Sequence, residues 1–178
     1  NADQVAEQFE GLGAQYGGAS RRDMAVVSLR SLSDKLILDK AIDLFSQVVA
    51  APTLPEKSFQ RNRKAMLVGL QVASQRPGAI ASKTFYKAIF NDHPYAIDGS
   101  GTQESLTNMM RQDVVDFHKR YYVASNATIA IVGAVSRERA QALAELVSSG
   151  LAKGEPAPKL LKVADLAKGV VKRIQHKS

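Results

Sequence analysis

Residues 33–55 read Ser33-Asp34-Lys35-Leu36-Ile37-Leu38-Asp39-Lys40-Ala41-Ile42-Asp43-Leu44-Phe45-Ser46-Gln47-Val48-Val49-Ala50-Ala51-Pro52-Thr53-Leu54-Pro55. Leu36, Ile37, Ala41, Leu44, Phe45 and Val48 recur at helical spacing, so one face of this segment is apolar and needs a surface to cover it. Ser33 or Asp34 supplies the cap, Pro52 ends the helix, and Pro55 opens the next one at its first turn. That next helix is expected to run to about Arg76, with Phe59, Met66, Leu67, Leu70 and Ala73 as its apolar side.

Upstream, Ala2 to Leu12 carries Val5, Ala6, Phe9 and Leu12 at helical spacing, and Gly13 stops it. Ala14 to Ser20 is small and glycine-rich, and Met24 to Leu32 alternates, which predicts a weak strand followed by a clear one. Downstream, a helix is predicted from Pro77 to Phe90, then turns at Asn91–Tyr95 and Asp98–Gly101. Short helices follow around Gln103–Asn108 and Gln112–Tyr122. Ala127 to Gly133 has the strongest strand composition in the chain, and Ser136 caps a last helix through Val147. Gly150 to Pro158 is linker-like, and Gly169 to Gln175 is a candidate for one more strand.

The fold class is therefore α/β (α+β), with helices packed on one face of a small mixed or antiparallel sheet. Residues 1–150 form one domain; residues 151–178 are a linker and the first strand of a following one. Three strands make a thin sheet, which predicts a domain lacking its leading strands, and a start at Asn1 rather than Met fits a processed, proteolysed or artificially defined start rather than a genetic one.

Hydrophobic residues at 45% and charged residues at 23% are globular values and argue against disorder. No apolar run approaches the roughly 18 residues of a membrane span. With no cysteine, thiol catalysis, thiolate metal sites and disulfides are excluded. The net charge of +7 raises nucleic acid or an anionic surface as a partner, but seven Lys/Arg against two acids lie beyond Gly150. The rest is nearly balanced, and dispersed Lys/Arg are usually a solvated face, so the reading is no nucleic acid.

His93, His118 and His176 belong to no H-E-x-x-H or H-x-x-E-H motif, and no two of them have the spacing that holds zinc on one helix face. His93 before Pro94 reads as a hydrogen-bonded turn residue and His118 as structural. No G-x-S-x-G elbow is present. Gly99-Ser100-Gly101-Thr102 lacks the lysine of a phosphate loop and reads as a helix start capped by Thr102. Arg61-x-Arg63-Lys64 reads as the solvated side of its helix.

Seven short strings, in order, resemble the pitrilysin/insulinase zinc peptidases, which are inverzincins. They are Phe9-Glu10-x-Leu12-Gly13-Ala14, Ser20-Arg21-Arg22-Asp23-Met24, Pro52-Thr53-Leu54-Pro55 with Arg61-x-Arg63, Asp92-His93-Pro94-Tyr95, Gly101-Thr102-x-Glu104-Ser105, Asp113-x-x-x-Phe117-His118-x-x-Tyr121-Tyr122 and Ala130-Ile131-Val132-Gly133. The resemblance implies a metallopeptidase-like (LuxS/MPP-like) domain, two such domains per half-enzyme, and two halves closing around an extended peptide. It places an H-x-x-E-H helix before Asn1. It also places Asn62 at a supporting glutamate and Gly69 at the third zinc ligand, so both carboxylates are lost. Asn62 to Gln75 contains no Asp or Glu in any register.

The resemblance thus implies no catalytic residue and no metal ligand in this chain, with zinc in a partner or in an upstream segment. It implies a non-catalytic half completed by a zinc-bearing homologous subunit and a peptide substrate, in the bacterial periplasm or envelope. The alternatives are a fragment of an active zinc metalloendopeptidase and a basic surface-binding module.

Overall fold

A computed structural model describes residues 2–166 and 168–175; His176 lies outside them. The helices are α1 (Ala2–Gly11), α2 (Lys35–Ala50), α3 (Glu56–Ala73), α4 (Pro77–Phe90), α5 (Gln103–Asn108), α6 (Arg111–Tyr121) and α7 (Arg137–Ser149). The strands are β1 (Gln15–Ser20) and β2 (Ala25–Arg30), and single 3-10 turns occupy Pro94–Ala96 and Ala124–Asn126. The described chain falls into two compact units, Asn1–Ser58 with Met110–Pro158 and Phe59–Met109 with Lys159–Ser178.

In the first unit β1 and β2 form an antiparallel hairpin, with Gln15 opposite Arg30 and Ser20 opposite Ala25. Asp34 starts α2 by accepting from the Leu36 and Ile37 amides at 3.0 and 3.1 Å, satisfying two donors that a helix start leaves unpaired. The buried core joins Phe9, Ala14, Ala41, Phe45 and Val147, with Val27 and Leu29 of β2 packed against it. Tyr16 stacks on Phe9 at 5.1 Å and meets Phe45 edge-on at 6.5 Å. α7 lies along α2, where the buried Ser46 hydroxyl donates to the Leu146 carbonyl at 3.2 Å. This is the expected α+β arrangement, a small antiparallel sheet packed by helices.

Two strand expectations fail. Residues 127–132 are irregular, and Val132 is 98% exposed. Their β-branched composition suits a pleated surface, but a strand exists only where a partner completes its ladder, and the hairpin is the one sheet among the described residues. Gly169–Gln175 likewise forms no strand.

Residues 152–157 are more than a free tether. The Ala124 and Ser125 amides donate to the Ala152 and Lys153 carbonyls at 2.8 and 3.1 Å. The Ser125 hydroxyl is shared between the Lys153 and Gly154 carbonyls, both at 2.8 Å, and the Ala157 amide donates to Asn126 Oδ1. Gly154 has φ +56°, and a Cβ there would fall 2.5 Å from buried Val123. Only glycine meets both demands without strain.

In the second unit Tyr86, Phe90 and Tyr95 form a ring cluster beside the 3-10 turn, with Tyr86 stacked on Phe90 at 5.9 Å. Leu106 of α5 is buried. No helix among the described residues is long and apolar enough to cross a membrane.

Candidate functional site

Helix α3 is where a ligand would be expected, and its two faces differ from the sequence expectation. Phe59, Arg63, Leu67 and Leu70 are half-buried, whereas Met66 is exposed. Arg63 therefore holds the inward position assigned above to Met66. Its guanidinium donates to the Met109 carbonyl at 2.9 Å, to that of Thr107 at 3.4 Å and to Gln60 Oε1 at 2.8 Å, and it lies over the Phe59 ring. The solvated reading holds for Arg61 and Lys64, which are exposed, and is corrected for Arg63. A long side chain with five donors satisfies carbonyls at the end of α5 that the helix leaves open.

Asn62 and Gly69 are both exposed, and a Cβ at Gly69 would meet nothing within 4 Å. With Met66 between them, this row offers an amide, a thioether and a hydrogen. Zinc needs imidazole, thiolate or carboxylate donors, several on one site. The histidines do not supply them. His93 Nδ1 accepts from the Tyr95 amide at 3.2 Å and its Nε2 is 2.9 Å from the Leu161 carbonyl. That pair is satisfied by a neutral ring protonated at Nε2. His118 Nε2 lies 2.9 Å from the Val49 carbonyl, and its ring stacks on Tyr122 at 4.7 Å. Both behave as the structural residues expected. No group of three His, Cys, Asp or Glu among the described residues could hold a metal, so the donor set does not fit zinc.

The Gly99–Thr102 turn also behaves as expected. Thr102 Oγ1 accepts from the Ser105 amide at 3.0 Å and Ser105 Oγ from the Thr102 amide at 2.9 Å, a reciprocal cap that consumes those donors. An open groove of about 360 Å³ in the first unit is lined by Gln8, Leu12, Lys40, Asp43, Leu44 and Gln47. Its Asp43 is engaged by Gln47 at 2.8 Å, and no nucleophile and base converge there. Among the carboxyls, Glu138 at the start of α7 is held below its usual range by its own backbone amide first and by the Ser136 hydroxyl second.

What the sequence reading passed over is the distribution of charge. From Lys57 to Asn91 there are seven Lys/Arg and no Asp or Glu. The second unit holds twelve of the chain's 24 Lys/Arg and four of its 17 Asp/Glu, so it carries the entire surplus, while the first is near neutral. The signal was in the sequence; counting the tail against the rest averaged it away.

Residues 1–103 match the model of the insulinase family, peptidase family M16, and residues 108–177 match that of the peptidase M16 inactive domain. A Rickettsia bellii protein described as an uncharacterized zinc protease is 25% identical over 86% of this chain and 37% of its own length. Subunit 1 of the bovine mitochondrial cytochrome b-c1 complex is 23% identical over 83% of this chain and 30% of its own. The crystal structure of a peptidase M16 inactive domain from Pseudomonas fluorescens superposes with a TM-score of 0.90 at 39% identity, covering 92% of this chain and 40% of that one. The chain thus spans between three-tenths and two-fifths of these relatives' own length. With its family model matched over more than half of its length and its seven strings in the family's order, the chain belongs to the insulinase family of zinc peptidases, M16.

Proposed function

We propose that this chain is part of a non-catalytic half of an insulinase-type peptidase, which completes a peptide-binding chamber with a zinc-bearing homologous subunit. The observation that carries the reading is the stretch of helix α3 from Lys57 to Ala73, which holds no Asp or Glu. Gly69 stands at the position aligned with the third ligand, Asn62 at that of its supporting glutamate, and no register of residues 62–75 brings in a carboxylate. Two upstream histidines without a third protein ligand do not make the site that activates water. The match of residues 108–177 to an inactive domain supports the same reading. Zinc belongs to the partner, and the compartment implied by the resemblance is the bacterial envelope.

The second reading, a piece of an active metalloendopeptidase, is favoured by relatives described as zinc proteases. The test separates the two. Zinc content and peptide hydrolysis are measured on the full-length protein, alone and then mixed with its nearest zinc-bearing homologue. Little zinc and no hydrolysis alone, with activity on mixing, is the expected result. Stoichiometric zinc with hydrolysis by the protein alone overturns it and moves the ligand away from Gly69.

A further inference from the structure

The exposed side of α3 carries cations and apolar groups in one line. Arg61, Lys64, Val68 and Val72 follow at intervals of three and four, the spacing that aligns side chains along a helix. Arg61 and Lys64 are exposed and form no ion pair among the described residues. Val68 and Val72 are 54% and 43% exposed, so apolar surface that burial would stabilise is left uncovered. The line spans roughly 16 Å at 1.5 Å per residue, the length of about five residues of extended peptide. Arg76 at the N-cap of α4 and Lys83 at its middle add two further exposed cations to the same unit.

We propose that this strip of α3 docks an acidic peptide whose glutamates or aspartates meet Arg61 and Lys64 and whose apolar side chains cover Val68 and Val72. The inference rests on the peptide-gripping role above and adds a substrate class to it. A unit with twelve bases and four acids repels itself and is relieved by an anionic ligand. Two exposed valines in the same line favour a peptide over nucleic acid, whose phosphates would satisfy the cations and leave the valines uncovered. Beside the strip, a Cβ at Gly69 would meet nothing within 4 Å.

The test is fluorescence anisotropy of the full-length protein with two labelled peptides of equal length and equal leucine and valine content. One peptide carries glutamates and the other lysines. The acidic peptide is expected to bind at least about tenfold more tightly at low salt, and the preference to shrink as salt screens it. The double variant Arg61→Glu/Lys64→Glu abolishes the preference. Lys119→Glu/Arg137→Glu, the same charge change on exposed residues of the first unit, preserves it. Equal binding of the two peptides, or equal loss with both double variants, overturns the inference. So does tighter binding of single-stranded DNA or phosphatidylserine vesicles through Arg61 and Lys64, which makes the strip a nucleic-acid or lipid surface. Activity on mixing without peptide preference sinks this inference alone; a peptide preference without activity on mixing sinks the non-catalytic-half reading alone.

Discussion

The two units solve folding differently. Among the described residues, seven of the eight buried apolar side chains, from Phe9 to Val147, lie in the first, and the second has Leu106. The first also matches its charges, with Asp39 paired to both Lys35 and Arg139. The second is secured by polar struts: Arg63 on the α5 carbonyls, His93 between Tyr95 and Leu161, and the Thr102–Ser105 cap. A unit with little core and unmatched charge has surface to spare for a ligand, and its stability responds to conditions that a hydrophobic core ignores.

The hardest blow to this contrast is a core truncation in each unit. Phe9→Ala is expected to cost about 3–5 kcal/mol in denaturant unfolding, and Leu106→Ala less, with its loss of amide protection confined to residues 59–109. Equal costs would erase the distinction. Arg63→Met removes the strut without emptying space and is expected to cost about 1–2 kcal/mol, read as faster amide exchange at the end of α5. Gly69→Ala sharpens the picture from the other side. Its Cβ enters open space in a helix, so a gain of about 0.5–1 kcal/mol in thermal stability is expected. The smallest effect belongs to Glu138. Its carboxyl is held low in the folded state, so its contribution is present above the unfolded-state pKa and is lost as pH falls through the lowered value. Ser136→Ala removes one of the two hydrogen bonds responsible, and an NMR titration should show the Glu138 midpoint rising.

Much of the fold was legible because it is set locally. Asp34, Pro77, Thr102 and Ser136 mark helix starts by chemistry that needs no distant partner, and α4 begins and ends where its sequence says. Failures occurred where the decisive partner is remote. Residues 127–132 have the side chains of a strand and no ladder. Arg63 has the sequence neighbours of a solvated residue, because the carbonyls it serves lie 44 and 46 residues away. The candidate site was legible only through the family resemblance, since Asn62 and Gly69 signal a lost ligand by their alignment, and an absent carboxylate leaves no trace in periodicity.

The strap of residues 152–157 carries a consequence for how the sequence can drift. Composition alone marks this stretch as one where insertions and deletions should accumulate freely. Its register is instead keyed to Ser125 and Asn126 by hydrogen bonds at fixed steps, with a glycine seated over Val123. Removing or adding one residue would slide every bond by a peptide unit and bring a side chain onto the valine. Length variation among relatives should therefore stop short of Ala152 and resume only beyond Ala157, making a stretch of linker-like composition one of the more rigidly counted parts of the chain.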